Sequence, residues 1–281
     1  MTAAHAAPTN AAAAHDAARN AGATNAAPTG AAPTNAALAN AASTNAGAAD
    51  AATVNVHVLD LAVASSLDGH HIGFARRHGH AVRYQTDVAV FAALDDPDDP
   101  RAWDDAVHLL DPDVPFVVPG VTQWPDDWEL IRMLDGVQME GSGVDPEPDA
   151  EAVVLGFDDV PEILDLIART DPGPYRRRTI ELGTYLGIRR ESALIAMAGE
   201  RLHPTGWTEI SAVCTDPAYR GQGLAGRLVR AVAAGIFERG ETPFLHAAAA
   251  NESALRLYEK LGFTLRRTMP IALLAHKGSV G

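Results

Sequence analysis

Two stretches of this chain carry residue types whose spacing could do chemistry. The first is Arg220-Gly221-Gln222-Gly223-Leu224-Ala225, followed by Gly226. The second runs from Asn251 to Tyr258, with Gly262 and Phe263 just beyond. In the first, the glycines let the backbone turn and let a ligand approach without a Cβ in the way. A helix-like segment follows at once, so its unpaired N–H groups and positive dipole end converge on one point, a seat for an anion. In the second, Asn251 and Tyr258 are seven positions apart, two helical turns, and share a face. A phenol there can donate to a charge as it develops. Taken alone, Asn251 also reads as a plain helix N-cap, and Tyr258 as a core tyrosine with its hydroxyl at the rim.

These side chains need elements to hold them. Residues 207–215 predict a strand that stops at Asp216-Pro217 before the glycine turn. The helix after the turn covers residues 224–239, with Leu224, Leu228, Val232 and Ile236 near one face and Gly240 closing it. A strand at 243–248 and a helix at 251–261, ended by Gly262, come next. Two strand-like pieces, 263–267 and 269–275, finish the chain. Upstream lie a strand at 152–157, a helix at 160–169 capped by Asp158 and Asp159, a short helix near 176–183, and strands at 184–189 and 193–201. Together these make a domain over residues 150–276.

Before it, residues 53–145 predict a small α/β unit. It has a helix near 101–110, a strand at 114–118, and two short strands, 128–134 and 136–140, joined at Asp135-Gly136 as a hairpin. Its helix-then-strands order also allows a degenerate second copy of the larger domain. Residues 142–150, rich in Gly, Asp, Pro and Glu, read as a linker. Residues 1–52 are a low-complexity tract that repeats Ala-Pro-Thr-Asn-Ala-Ala at 7–12 and 32–37. Nothing large is present there to pack a core, so a disordered tail is expected.

Composition narrows the function classes. The 281 residues contain one cysteine, Cys214, so no internal disulfide forms and a reducing compartment fits. No apolar run approaches the roughly 20 residues of a membrane span, and no secretory signal is visible. A cytoplasmic protein without a membrane partner is expected. The net charge of −14 belongs to residues 53–150, which hold 19 acids and 5 bases, while residues 151–281 sum to +1. No concentrated basic surface exists for nucleic acid. The histidines at 70, 71, 78 and 80 lack the tight spacing and the Cys or acid partners of a metal site, so they are expected to be exposed loop residues and no metal is assigned.

The order of elements, the Arg-Gly-Gln-Gly-Leu-Ala turn, and the Asn251…Leu257-Tyr258-Glu259-Lys260-Leu261-Gly262-Phe263 run together resemble the GNAT acetyltransferase superfamily over residues 151–275. The resemblance implies an α/β (α+β) acyltransferase fold with a mixed, splayed, mostly antiparallel sheet. It implies acetyl-CoA as donor, an amine-bearing acceptor, and direct attack. Monomer and homodimer both stay open. In those terms Val213, Cys214 and Thr215 pair with the pantetheine arm as another strand would, each bond worth about 1 kcal/mol. Arg220, Gly221, Gln222, Gly223, Leu224, Ala225 and Gly226 hold the pyrophosphate; alanine stands at the last motif position, where glycine is common.

The resemblance further implies that Asn251 contacts the cofactor and that Tyr258 faces the thioester sulfur. A free phenol has a pKa near ~10 and a thiol about 8.5, so full proton transfer is uphill by roughly 2 kcal/mol and hydrogen bonding suffices. Glu209 and His246 both occupy positions resembling those of the family's general base, and neither is preferred. Cys214 reads as a small buried hydrophobe rather than a nucleophile. A non-catalytic acetyl-CoA-binding module is the competing reading.

Overall fold

The computed structural model describes residues 56–279. The tail expected at residues 1–52 lies outside the described residues. The chain begins with a 3₁₀ turn (Val58–Leu61), helix α1 (Ala62–Asp68) and strands β1 (Ala75–His78), β2 (Ala81–Tyr84) and β3 (Ala92–Leu94). Helix α2 (Pro100–Val107) and strands β4 (Phe116–Pro119), β5 (Trp128–Glu140) and β6 (Val153–Val154) follow. Then come α3 (Val160–Thr170), a 3₁₀ turn (Thr179–Leu182), β7 (Tyr185–Arg190), β8 (Ala193–Glu200) and β9 (Trp207–Thr215). The last elements are α4 (Leu224–Glu238), β10 (Thr242–Ala248), α5 (Glu252–Lys260) and β11 (Thr264–His276).

Eight strands form one mixed sheet in the order β4-β11-β5-β10-β9-β8-β7-β6. All neighbours are antiparallel except β9 and β10. The mixed sheet expected from the sequence is therefore present. Alternate residues of β8 point to opposite faces: Ala196 and Ala198 meet α4, whereas Met197 joins the cluster under α3. On the first face Leu224, Leu228, Val232 and Ile236, one helical stripe, pack on Ile188, Ile210 and Leu245. On the other, Ile163 and Leu166 of α3 pack on Leu194, Met197 and Cys214. Full burial of each such aliphatic side chain contributes about 1.5–3 kcal/mol, so the two helices clamp β8 and β9 in place.

Strand β5 runs unbroken through Asp135-Gly136, where a hairpin turn was expected. Gly136 lies against β11, and a Cβ there would come within 3.0 Å of Ile271 Cδ1 and 3.2 Å of the Met269 carbonyl oxygen. The glycine thus permits close strand contact instead of a turn. Strand β11 likewise joins the two pieces expected at 263–267 and 269–275, absorbing the break as a register shift between Leu265 and Arg267. The strand expected at 152–157 shrinks to two residues.

Because β5 is hydrogen-bonded to both β10 and β11, the expected boundary at 145–150 separates no domains. Strands β4 and β5, residues 116–119 and 128–140, belong to the main sheet. The three-stranded sheet β1-β2-β3 has no splay and is not a second copy of the larger fold. Its neighbours Leu59, Val63 and Leu67 pack onto Leu182, Leu202 and Phe244, so the N-terminal segment covers part of the main sheet. The 142–150 linker is also tied down. Asp149 pairs with Arg227, and Asp145 and Glu147 pair with Arg230, both arginines on α4.

Candidate active site

The parallel pairing of β9 and β10 holds for only three residue pairs, ending at Phe244 opposite Glu209. Beyond that point β9 stays with β8 as far as Thr215, and β10 stays with β5 as far as Ala248. The sheet therefore parts, leaving two facing strand edges whose N–H and C=O groups have no strand between them. An amide-bearing chain can fill that gap. A bulge sharpens it: between Met197/Cys214 and Gly199/Ser211, β9 has one more residue than β8, and Ala212 adopts φ 52°. A non-glycine residue there costs about 1–3 kcal/mol, the kind of strain that marks functional backbone. Val213, Cys214 and Thr215 lie at this bulge.

Past Thr215, the Asp216 side chain accepts from the Ala218 N–H at 2.9 Å and also pairs with Arg169 of α3, which fixes the turn. Gly221 and Gly223 have φ 79° and 75°, and a Cβ at either would meet no atom within 4 Å. The glycines therefore serve the turn and leave an open approach. Gly223 is the N-cap of α4 and offers no side chain to its first N–H groups. Those of Leu224, Ala225 and Gly226 remain orphan donors at the positive end of a 15-residue helix. Arg220, Gly221, Gln222 and Gly223 are exposed around them. This cradle fits a diphosphate.

The expected N-cap geometry holds at Asn251, whose Oδ1 accepts from the Ala254 N–H at 3.2 Å and from Ser253 Oγ at 3.0 Å. Among the described residues its amide NH₂ has no hydrogen-bond partner. Tyr258 is buried, packed edge-on against Phe263 at 5.9 Å, and its hydroxyl has no hydrogen-bond partner among the described residues. Burial pushes its pKa up to about 12, with the nearby Cys214 adding to the rise. Burial also pushes the Cys214 thiol up to about 11, which suits an apolar packing role and not a nucleophile.

Glu209 and His246 meet at the apex where the strands part. Glu209 is fully buried and accepts from Arg201 Nε (2.8 Å) and Nη2 (2.6 Å), and from the Leu202 N–H (3.2 Å). Burial alone would raise its pKa, but the Arg201 guanidinium outweighs this and holds the carboxyl far below the usual range. His246 Nδ1 lies 2.7 Å from Glu209 Oε1, and its Nε2 lies 3.0 Å from Gln138 Nε2. The two candidate bases are thus one unit. Sequence reasoning missed Arg201 and Gln138. Arg201 was legible in principle, since the β8–β9 hairpin places it opposite Glu209; Gln138 was not.

The N-terminal histidines behave differently from expectation in one case. His70, His78 and His80 are exposed, but His71 is 2% exposed. Its Nε2–H donates to the Leu182 carbonyl (3.1 Å) and Nδ1 accepts from the Tyr84 hydroxyl (2.8 Å), while burial pushes its pKa down to about 4. Among the described residues no group of three or more His, Cys, Asp or Glu is arranged to hold a metal. No helix there is long and apolar enough to cross a membrane.

Comparison with known proteins agrees with this geometry. The family described as FR47-like protein matches residues 185–270, from β7 into β11. A GNAT-family protein of known structure from Novosphingobium aromaticivorans is 40% identical, covers 79% of this chain and 99% of its own, and superposes with a TM-score of 0.72. A GCN5-related N-acetyltransferase from Kribbella flavida shares the fold at 18% identity, covering 77% of this chain and 95% of its own with a TM-score of 0.55. The N-alpha-acetyltransferase RimI of Mycobacterium tuberculosis is 34% identical over 105 residues, 35% of this chain. The match spans 65% of that relative's length.

Proposed function

The chain belongs to the GNAT family of acetyltransferases, and on that basis we propose that it transfers the acetyl group of acetyl-CoA directly to an amine. The observation that carries this reading is the parting of β9 from β10, with β9 leading through the glycine turn into the uncapped start of α4. Acetyl-CoA supplies an activated thioester and a leaving thiol. The free edge of β9 at Val213–Thr215 binds the pantetheine amides, and Gly221 to Gly226 hold the diphosphate. The free amide of Asn251 adds a contact from α5. Tyr258 donates its unpartnered hydroxyl to the leaving sulfur.

His246 takes the proton of the attacking amine, and Glu209 serves as the carboxylate that orients it. Glu209 itself already accepts from Arg201, Leu202 and His246 and has no capacity left for an amine. A shielded base favours an acceptor that gives up its proton easily. At pH 7 an α-amine costs about 1 kcal/mol to deprotonate, against about 4–5 kcal/mol for a lysine side chain. Together with the likeness to an N-alpha-acetyltransferase, this makes α-amines the acceptor class. The single cysteine, buried and unpaired, suits the reducing cytoplasm.

The test has two parts, calorimetry with acetyl-CoA and release of free thiol across a panel of amines. Submillimolar binding and thiol release faster with peptides bearing a free N-terminus than with N-acetylated lysyl peptides is the expected result. Absence of binding would overturn the proposal. Binding without turnover on any amine would favour a non-catalytic acetyl-CoA sensor.

A further inference from the structure

A chain of hydrogen bonds crosses five adjacent strands at the apex of the cleft. It runs from Arg266 on β11, through Gln138 on β5, His246 on β10 and Glu209 on β9, to Arg201 at the end of β8. Each end is a guanidinium, which can only donate, and this fixes the direction of every bond between. Arg266 Nη1 donates to Gln138 Oε1 at 2.7 Å. The Gln138 NH₂ therefore faces the other way, and one of its hydrogens goes to the Leu59 carbonyl at 2.9 Å. Its second hydrogen points at His246 Nε2, which must accept. His246 then carries its proton on Nδ1 and donates it to Glu209.

We infer that Gln138 is a positioning residue that holds His246 as the neutral Nδ1–H tautomer with its Nε2 lone pair engaged, so that an amine reaches this base by replacing the Gln138 N–H. The inference rests on the reading of His246 as proton acceptor. A second ring proton on Nε2 would face the Gln138 amide donor to donor. The amide cannot turn over to relieve this, because its nitrogen would then face Arg266 and its oxygen the Leu59 carbonyl. Gln138 is fully buried, whereas the His246 side chain keeps 12% of its surface exposed, which is the side from which an amine arrives. The charged groups around the ring are Glu209 and Arg201 on one side, and Arg266, Arg267 and Asp60 on the other, with Asp60 accepting from both arginines; they leave one positive charge in excess, which opposes a second ring proton. The position occupied by the Gln138 N–H is the position an ammonium N–H needs before it hands its proton to the ring.

The test is a long-range ¹H–¹⁵N correlation spectrum of the full chain labelled with ¹⁵N-histidine, with the His246 signals assigned by their loss in His246→Asn. The expected result at neutral pH is a single ring proton, on Nδ1. In Gln138→Glu the new carboxylate accepts from Nε2, so both ring nitrogens carry protons at the same pH. Turnover then falls about 10²-fold while acetyl-CoA affinity holds, because the base is already filled and its geometry lost. An Nε2–H tautomer or a doubly protonated ring in the parent overturns the inference, as does a Gln138→Glu spectrum and turnover equal to the parent's. The parent spectrum decides the tautomer by itself, so poor folding of the variant leaves the test intact. The two readings fail separately. An Nδ1–H ring in a protein that releases no thiol supports the assignment and overturns the transfer chemistry; thiol release with an Nε2–H ring overturns the inference alone.

Discussion

Replacing Tyr258 by phenylalanine separates chemistry from binding. The hydroxyl is pushed up to about 12 by burial, and a free thiol titrates near 8.5. Handing the phenolic proton fully to the leaving thiolate is then uphill by about 5 kcal/mol. In the proposed mechanism the hydroxyl then serves as a hydrogen-bond donor to a charge that exists chiefly at the transition state. Loss of one such donor lowers kcat by about 10²- to 10³-fold, or about 3–4 kcal/mol. The change leaves nothing orphaned, since the hydroxyl has no partner among the described residues and the edge-on contact with Phe263 survives. Stability should shift by less than about 0.5 kcal/mol. Steady-state thiol release at saturating acetyl-CoA, calorimetric affinity for acetyl-CoA, and a urea melt read the three quantities. A variant with parental turnover removes Tyr258 from the reaction. One that loses affinity and turnover in equal measure shows that the phenol binds the cofactor equally in ground and transition states.

Other perturbations test the remaining parts. Glu209→Gln leaves the buried Arg201 guanidinium without its counter-charge, and should cost about 3–5 kcal/mol, read as a lower urea midpoint at an unchanged slope. Gly223→Ala forces a side chain into φ 75°, so about 1 kcal/mol of stability should be lost together with acetyl-CoA affinity; calorimetry showing parental affinity would detach this turn from the cofactor. Gly199→Ala would place a Cβ 2.1 Å from the Tyr185 ring, and overpacking of about 1–3 kcal/mol should appear as a drop in Tm. Stability should also fall as pH drops from about 6.5 toward 4. Unfolded His71 binds a proton in that range while folded His71, pushed down to about 4, does not, an effect of up to about 3 kcal/mol. Urea titrations across that range in the parent and in His71→Asn check it, and equal pH slopes would refute the assignment.

What was legible in the sequence was local. The turn from Asp216 to Gly223 and the stripe of α4 are encoded within a few residues: positive-φ positions demand glycine, and a helix needs a one-sided apolar period. The Asn251 cap and the seven-residue step to Tyr258 are local for the same reason. Errors fell where long-range pairing overrides local signals. Asp135-Gly136 has the composition of a hairpin turn, yet β10 and β11 on either side hold β5 straight, and the glycine is spent on contact with Ile271. His71 lies in a loop-like run, but packing against Tyr84 and Leu182 buries it.

The sequence by itself determined the local geometry proposed for the donor end, the glycine turn before α4 and the seven-residue step from Asn251 to Tyr258, because each depends on spacing along one element. The tertiary structure decided how the candidate bases are arranged. Glu209 and His246 stood as rival bases 37 positions apart until the parting of β9 and β10 brought them to 2.7 Å. Arg201 reaches the same carboxylate and occupies one acceptor position on each of its oxygens. Gln138, 108 positions from His246, comes to 3.0 Å from the other ring nitrogen. Hydrogen-bond direction along this chain is set by side chains arriving from five strands, with Arg266 and Arg201 donating at the ends and Glu209 accepting on β9, and residues 138, 209, 246 and 266 come from separate stretches of the sequence.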